Sequence, residues 1–254
     1  MKHFVNRITI LLLVITGFNM GNAKSTAHDP SALSPQKVDY TIWDNLLKKY
    51  VDKDGNVDYK SFRKEIGLLN SYLDQQTKNP VSEYDTKESK LVYYINLYNA
   101  ATVKLILDNY PLNSIKDLKG PWNRKVVTIR DKQFSLGDIE HNILRKMDEP
   151  RIHFAINCAS YSCPKLLNEA FTVEKLEEQF QRTAESFVND PKRNTIRKDK
   201  AMLSQIFKWY KKDFTDKMSL YEYINQYSDT KLNKDTSIDY INYDWSLNAS
   251  KRTP

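Results

Sequence analysis

The chain has 254 residues, a formal net charge of +7, 40% hydrophobic and 28% charged residues. That length suits one domain. The basic excess is mild and interrupted by acids where it gathers, as around Lys208–Lys212 and Arg193–Lys200, so no nucleic-acid-binding module is indicated. The usual reading is a solvated surface with a weak preference for anionic partners such as cell-wall polymers or lipopolysaccharide.

The N-terminus carries Lys2 and Arg7, an apolar run from Ile8 to Phe18, and small residues before a cut after Ala23. This is the pattern of a cleavable signal peptide over residues 1–23. The run is too short to span a bilayer, which takes about 20 residues. No later stretch is apolar enough to do so, leaving no transmembrane segment after signal removal. Residues 24–38 read as a flexible mature tail and 39–250 as a single globular domain. The expected location is periplasmic or secreted.

Thr41–Val51 has apolar residues at helical spacing. Asp52–Asp58 is a turn whose Gly stands fourth, with no Glu closing twelve residues, which disfavours a calcium loop. Tyr59–Gln76 reads as a second amphipathic helix. Thr86–Tyr110 is apolar around most of its circumference, so that helix is expected to be central and buried, ending at Pro111. Lys125–Arg130 and Gln133-Phe134 read as a hairpin turning at Asp131-Lys132. Ser135 with Asp138 three residues on signals a helix start, the helix running to about Met147. Ile152–Asn157 has the look of a buried strand closed by Cys158. Further on come a helix over Val173–Val188, a hairpin over Thr195–Leu203, short helices over Gln205–Phe214 and Ser219–Gln226, and an alternating tail, Ser237–Trp245, suited to an edge strand. The expected class is α+β: a helix-rich single domain with a central buried helix on a small, mainly antiparallel sheet.

Several motifs resemble one family. They are Tyr94-Ile95-Asn96-Leu97-Tyr98-Asn99-Ala100, Tyr110-Pro111 with Ser114-Ile115, and Asp138-Ile139-Glu140-His141 with Ile143-Leu144-Arg145. His153-Phe154-Ala155-Ile156-Asn157-Cys158-Ala159 with Ser162-Cys163-Pro164 continues the series, followed by Trp209–Phe214 and Tyr243–Asn248. In this order they resemble the family called domain of unknown function 547, over roughly Trp43–Asn248. Ala159 departs from it, since many relatives have Gly there. The resemblance implies a compact domain common in exported bacterial proteins, with a distant likeness in fold to papain-like and transglutaminase-like thiol enzymes.

Chemistry points to Cys158, where a buried segment emerges into a loop of small and polar residues. A thiol nucleophile needs a lowered pKa, partial exposure and a base. Only His141 and His153 fall within the folded body. On a continuous strand His153 lies about 16 Å from Cys158, at roughly 3.3 Å per residue, and faces the other way. That makes His141 the expected base and acid, with Asp138 on the same helix face, or Asn99, orienting the ring. Glu140 points elsewhere on that helix, and His153 stands as part of the family motif. Asn96, Asn99, Asn157, the Ala159 amide, Tyr161 and Ser162 are the expected contacts to substrate or oxyanion. The bland reading of the asparagines is that they brace neighbouring loops.

Two functional readings stand. One is a thiol-dependent hydrolase or acyl transferase on amide or peptide bonds in the cell envelope. The other is a non-catalytic binding module in which a Cys158–Cys163 disulfide shapes a pocket, as exported proteins usually pair their cysteines. A redox role is weaker, for want of a two-residue gap between the cysteines. A zinc site from His141, His153, Cys158 and Cys163 lacks paired short spacings. No metal or cofactor is implied. The expected partner is a peptide or an envelope polymer.

Overall fold

The computed structural model describes residues 38–250. The expected signal peptide, all of the expected tail but its last residue, and residues 251–254 lie outside the described residues. Trp43, Leu46, Leu47 and Tyr50 recur on one face and are buried along α1 (Thr41–Tyr50). The turn after it folds on Asp52, whose carboxylate accepts the amides of Asp54 and Asn56, both at 2.9 Å. Gly55 there has φ +79°, and a Cβ would meet the Lys165 Cβ at 2.7 Å, so the position needs glycine.

The expected second helix is interrupted. α2 (Tyr59–Phe62) is followed by a 3₁₀ turn, Arg63–Glu65, and then α3 (Ile66–Lys78). The turn buries none of its side chains, and it separates Phe62 from the next buried row, Leu69, Tyr72 and Leu73.

α4 (Lys87–Asn109) is the central helix that the apolar pattern predicts. Its N-cap is Thr86, whose side chain accepts the Ser89 amide, and it ends before Pro111. Nearly every residue from Leu91 to Leu107 is buried. Each fully buried Leu or Ile is worth roughly 1.5–3 kcal/mol, so the first hydrophobic core gathers around this helix.

β1 (Lys125–Ile129) and β2 (Lys132–Ser135) form the expected hairpin, but the turn is at Arg130-Asp131, one residue earlier. Both turn residues have positive φ, 45° and 65°, the twist a two-residue hairpin turn requires. The Ser135–Asp138 start is present: Ser135 Oγ accepts the Asp138 amide at 3.1 Å, and Asp138 Oδ2 accepts the Ser135 amide at 2.8 Å. The helix then widens into a π turn, Asp138–Ile143, and tightens to 3₁₀ at Leu144–Lys146. Glu140 is turned inward and buried, while His141 is half exposed.

Ile152–Asn157 is not a strand. Ile152–Ala155 is one helical turn, α5, and only Ile156 returns to extended backbone. The run is apolar on both sides because it lies between two cores: Ile152, Ala155 and Ile156 pack in the first, Phe154 in the second. That second core is built from α6 (Leu176–Val188), α7 (Gln205–Trp209), α8 (Lys211–Phe214) and α9 (Leu220–Asn225).

Beside the second core, β3 (Thr195–Ile196), β4 (Lys200–Leu203) and β5 (Ser237–Tyr240) make a second sheet, in that order. β3–β4 is antiparallel and β4–β5 parallel, so the expected tail strand is at an edge, and there are two small sheets rather than one. Residues 245–250 then thread between three loops. Leu247 donates to Asn113 O, Asn248 to Ala159 O, and Ser250 to Val57 O. Among the described residues no helix is long and apolar enough to cross a membrane.

Candidate active site

The loop that presents Cys158 is held by amide side chains. Asn99, from α4, accepts the Asn157 amide at 2.8 Å and donates to Ala155 O at 3.0 Å, fixing the exit from α5. Asn157 donates to Pro164 O at 2.7 Å and accepts the Ala159 amide at 2.8 Å, tying the two ends of the loop together. Asn96 makes the same two-way clamp on Phe171. All three are buried, and their polar atoms are engaged with backbone, which is the bracing role. The Ala159 amide, expected at an oxyanion, is likewise occupied by Asn157. Ala159 itself has φ +60°, a left-handed conformation that costs an L-residue energy and would suit Gly.

Cys158 is partly exposed, and its Sγ lies 3.1 Å from Cys163 Sγ, 3.1 Å from Ser160 Oγ and 3.4 Å from the Tyr243 hydroxyl. Both cysteines are thiols in this structure. The Cys158 thiol is brought down to about 7, first by the S–H of Cys163, against the effect of burial, with Ser160 and Tyr243 adding donors. Burial, together with the neighbouring sulfur, pushes Cys163 up. Either sulfur can hold the proton between them; the arrangement with Cys163 donating leaves the charge on the exposed one.

The two histidines are nearby but neither is hydrogen-bonded to the thiol. His153 is buried; its Nε2 is 2.8 Å from Asp213 Oδ2 and its ring stacks on Tyr210 at 3.9 Å. Burial lowers its pKa despite Asp213, so the ring is neutral at pH 7 with the proton on Nε2, donated to a carboxylate. Arg145 grips the same carboxylate with Nε at 2.6 Å and Nη2 at 2.8 Å. His141 lies 3.7 Å from Glu140 Oε1 and 3.4 Å from Arg145 Nη1. Asp138 does not orient it: that carboxylate bonds Lys125 at 2.7 Å and caps its own helix. The expected separation of His153 from the site fails with the strand that implied it, because a helical turn brings His153 to the same cavity as Cys158 and His141.

That cavity has a volume of about 410 Å³. Glu140 lies in its wall, its oxygens bound by the Tyr210 hydroxyl at 2.5 Å and the Tyr98 hydroxyl at 3.3 Å. Trp122, Trp209, Tyr243 and Trp245 close the cavity and pack on one another, with ring centres 4.4–5.8 Å apart along the Trp122–Trp245, Trp209–Trp245 and Tyr243–Trp245 contacts. Tyr161 and Ser162, expected to contact substrate, do not line it. Tyr161 donates its amide to Ser246 O, and Ser162 Oγ accepts the Asp244 amide, so both hold the C-terminal segment in place. Asp213 and the aromatic wall escaped the residue-level reading. Their only signal was the pair of motifs around Trp209 and Tyr243. Among the described residues no group of three His, Cys, Asp or Glu stands where it could hold a metal ion, so the four-residue zinc set does not assemble.

Fold and site together define a helix-rich α+β domain with a paired-thiol centre in an aromatic-walled cavity. Residues 81–188 match the family described as "Protein of unknown function, DUF547", and over that segment the chain is similar to this family. No curated protein and no solved structure matches the chain. The matched segment runs from just before α4 to the end of α6. It includes Glu140, His141, His153, Cys158 and Cys163, and stops short of Tyr210, Asp213, Tyr243 and Trp245.

Proposed function

We propose that the protein is a thiol-dependent hydrolase or acyl transferase acting on amide or peptide bonds in the cell envelope. The observation that carries this reading is the acidified Cys158 sulfur in the wall of a substrate-sized cavity. With its pKa at about 7, the thiol is about half ionised at neutral pH without a base in contact. Its Sγ attacks the acyl carbon; a C–S bond forms and the carbonyl oxygen takes up the charge. Ser160 and Tyr243, whose hydroxyls lie 3.1 and 3.4 Å from the sulfur and 2.8 Å from each other, are the nearest hydroxyl donors for that oxygen. His141, which lines the same cavity, gives a proton to the leaving amine as the C–N bond breaks, and Glu140 supports the charged ring. Water or an acceptor amine, deprotonated by His141, then attacks the thioester and the Cys158 sulfur leaves. His153, Asp213 and Arg145 act at one remove, by holding Tyr210 against Glu140. The leader-like residues 1–23 support an envelope location.

The test is covalent. Reduced protein is incubated with activated acyl esters and amides and read by intact mass. The expected product is an acyl adduct on Cys158 that hydroxylamine removes, absent in Cys158→Ala. Turnover retained in full by Cys158→Ala removes the reading. The 3.1 Å sulfur–sulfur contact favours the binding module as a second reading. A thiol count on denatured protein, purified without reductant, separates them: two for the thiol enzyme, none for a disulfide-braced module.

A further inference from the structure

The charge around the Cys158 cavity differs from that of the rest of the molecule. The chain contains 39 Lys and Arg, and three other cavities each include several of them: Lys165, Arg182 and Arg193 in one, Arg145, Lys146 and Lys212 in the next, Lys104, Arg124 and Lys125 in the third. Among the described residues no Lys or Arg lines the Cys158 cavity. Its lining includes instead a carboxylate and three indole rings. Glu140 is 5% exposed and, among the described residues, makes no ion pair with Lys or Arg; its oxygens are met by two tyrosine hydroxyls and by His141. Among the described residues its ion-pair partner is the titratable His141 ring rather than a permanent cation, and each of its oxygens keeps acceptor capacity. Trp122, Trp209 and Trp245 line it, and an indole ring attracts cations through its quadrupole. Trp245 already has an ammonium near it: Lys116 Nζ, which does not line the cavity, is 5.1 Å from its ring centre.

We propose that this cavity binds an organic ammonium group, set against the Trp122, Trp209 and Trp245 faces with Glu140 as its counter-ion. Binding follows from the cavity itself. The corollary, that the acyl compound delivered to Cys158 carries a positive charge, rests on the thiol reading above. The volume of about 410 Å³ admits an ammonium headgroup with a short acyl chain behind it. A neutral headgroup of equal shape gains the same burial but neither the cation–π attraction nor the ion pair.

The test uses the full chain under reductant, at fixed ionic strength, with tryptophan fluorescence and calorimetry as readouts. The probes are choline, its analogue with carbon in place of nitrogen, n-butylammonium and butyrate. Choline or n-butylammonium is expected to bind about ten-fold or more tightly than the neutral analogue, with butyrate weakest. The two cations distinguish a quaternary from a primary ammonium. Glu140→Gln keeps an acceptor for the tyrosine hydroxyls and is expected to bring cation and neutral affinities together. Trp245→Leu, at a partly exposed position, weakens the cation by a smaller factor and guards against a misfolded Glu140→Gln. A neutral analogue that binds as well as the cation, or failure of every probe to bind, overturns the proposal. Cys158→Ser retains the preference, so ammonium binding without acyl transfer would refute only the thiol reading. Acyl transfer without ammonium preference would refute only this one.

Discussion

Cys163→Ala removes the S–H that faces Cys158 across 3.1 Å and leaves the Ser160 and Tyr243 donors in place. A hydrogen bond to a charged group is worth about 1.5–3 kcal/mol, and a thiol is a weak donor, so the low end applies. That corresponds to about ten-fold in acidity. Cys158, at about 7 in the native site, is therefore expected to move up toward 8 on the order of one pKa unit. At pH 7 the thiolate fraction drops from about a half to about a tenth, and iodoacetamide alkylation slows about five-fold. The sign is fixed by the anion being the nucleophile: the rate rises with pH, the variant lags near neutrality, and the two profiles converge well above both midpoints. The assay is the pH profile of alkylation of reduced, folded protein, followed by intact mass, with Cys158→Ala to show that Cys163 stays unreactive. A Cys163→Ala midpoint at or below the native one would refute the claim that the neighbouring thiol acidifies Cys158.

Asp213→Asn leaves Arg145 and His153 without their carboxylate, and urea unfolding is expected to show a loss of about 2–3 kcal/mol, discounted from the fully buried case because the site is partly open. Burial raises the Asp213 pKa, but Arg145 and His153 outweigh it and hold the carboxyl well below the usual range. Its stabilisation is then complete above the unfolded carboxylate pKa of about 4 and fades as pH falls below it; Asp213→Asn should flatten that acid limb, measured as stability against pH. Asn157→Ala orphans the Ala159 amide and Pro164 O, for an expected cost of about 2–4 kcal/mol in denaturant titration, and loosens the Cys158 loop enough to change its alkylation rate. Ala159→Val puts a β-branched side chain at φ +60° in a position with no exposure, and thermal unfolding is expected to show a loss of about 2 kcal/mol or more; no loss would mean the loop is not held in that conformation.

What was legible in the sequence had a local cause. α1 and α4 follow from apolar spacing, the Ser135–Asp138 cap from a three-residue pattern, and Cys158 with the two body histidines from rarity alone. What was not legible had a distant one. A six-residue apolar run suits either a strand or a helical turn, and only the presence of a core on both sides of Ile152–Ala155 decides it. The π turn that turns Glu140 inward leaves no pattern, since its cause is packing. Asn96, Asn99 and Asn157 have the same chemistry whether they hold a loop or a ligand. Asp213, Tyr210 and Tyr243 come from 52 to 85 positions beyond Cys158, too far for any spacing rule to connect them with it.

The site lies where the two cores meet, and that accounts for its charge. The first core brings Tyr98 and the inward Glu140, the second brings Tyr210 and Asp213, and α5 supplies His153 between them. Among the links that cross this junction are Tyr210 to Glu140 and Arg145 to Asp213. Arg145 reaches this cluster, with Nη1 3.4 Å from His141 Nδ1, yet its guanidinium bonds Asp213 twice and makes no hydrogen bond to Glu140. The Arg145–Asp213 bonds that help fasten the cores together thus also hold this guanidinium off direct contact with Glu140. Loosening the junction at Asp213 would free Arg145 to turn toward Glu140, so packing between the cores and the ligand charge preference of the cavity are coupled through that one guanidinium.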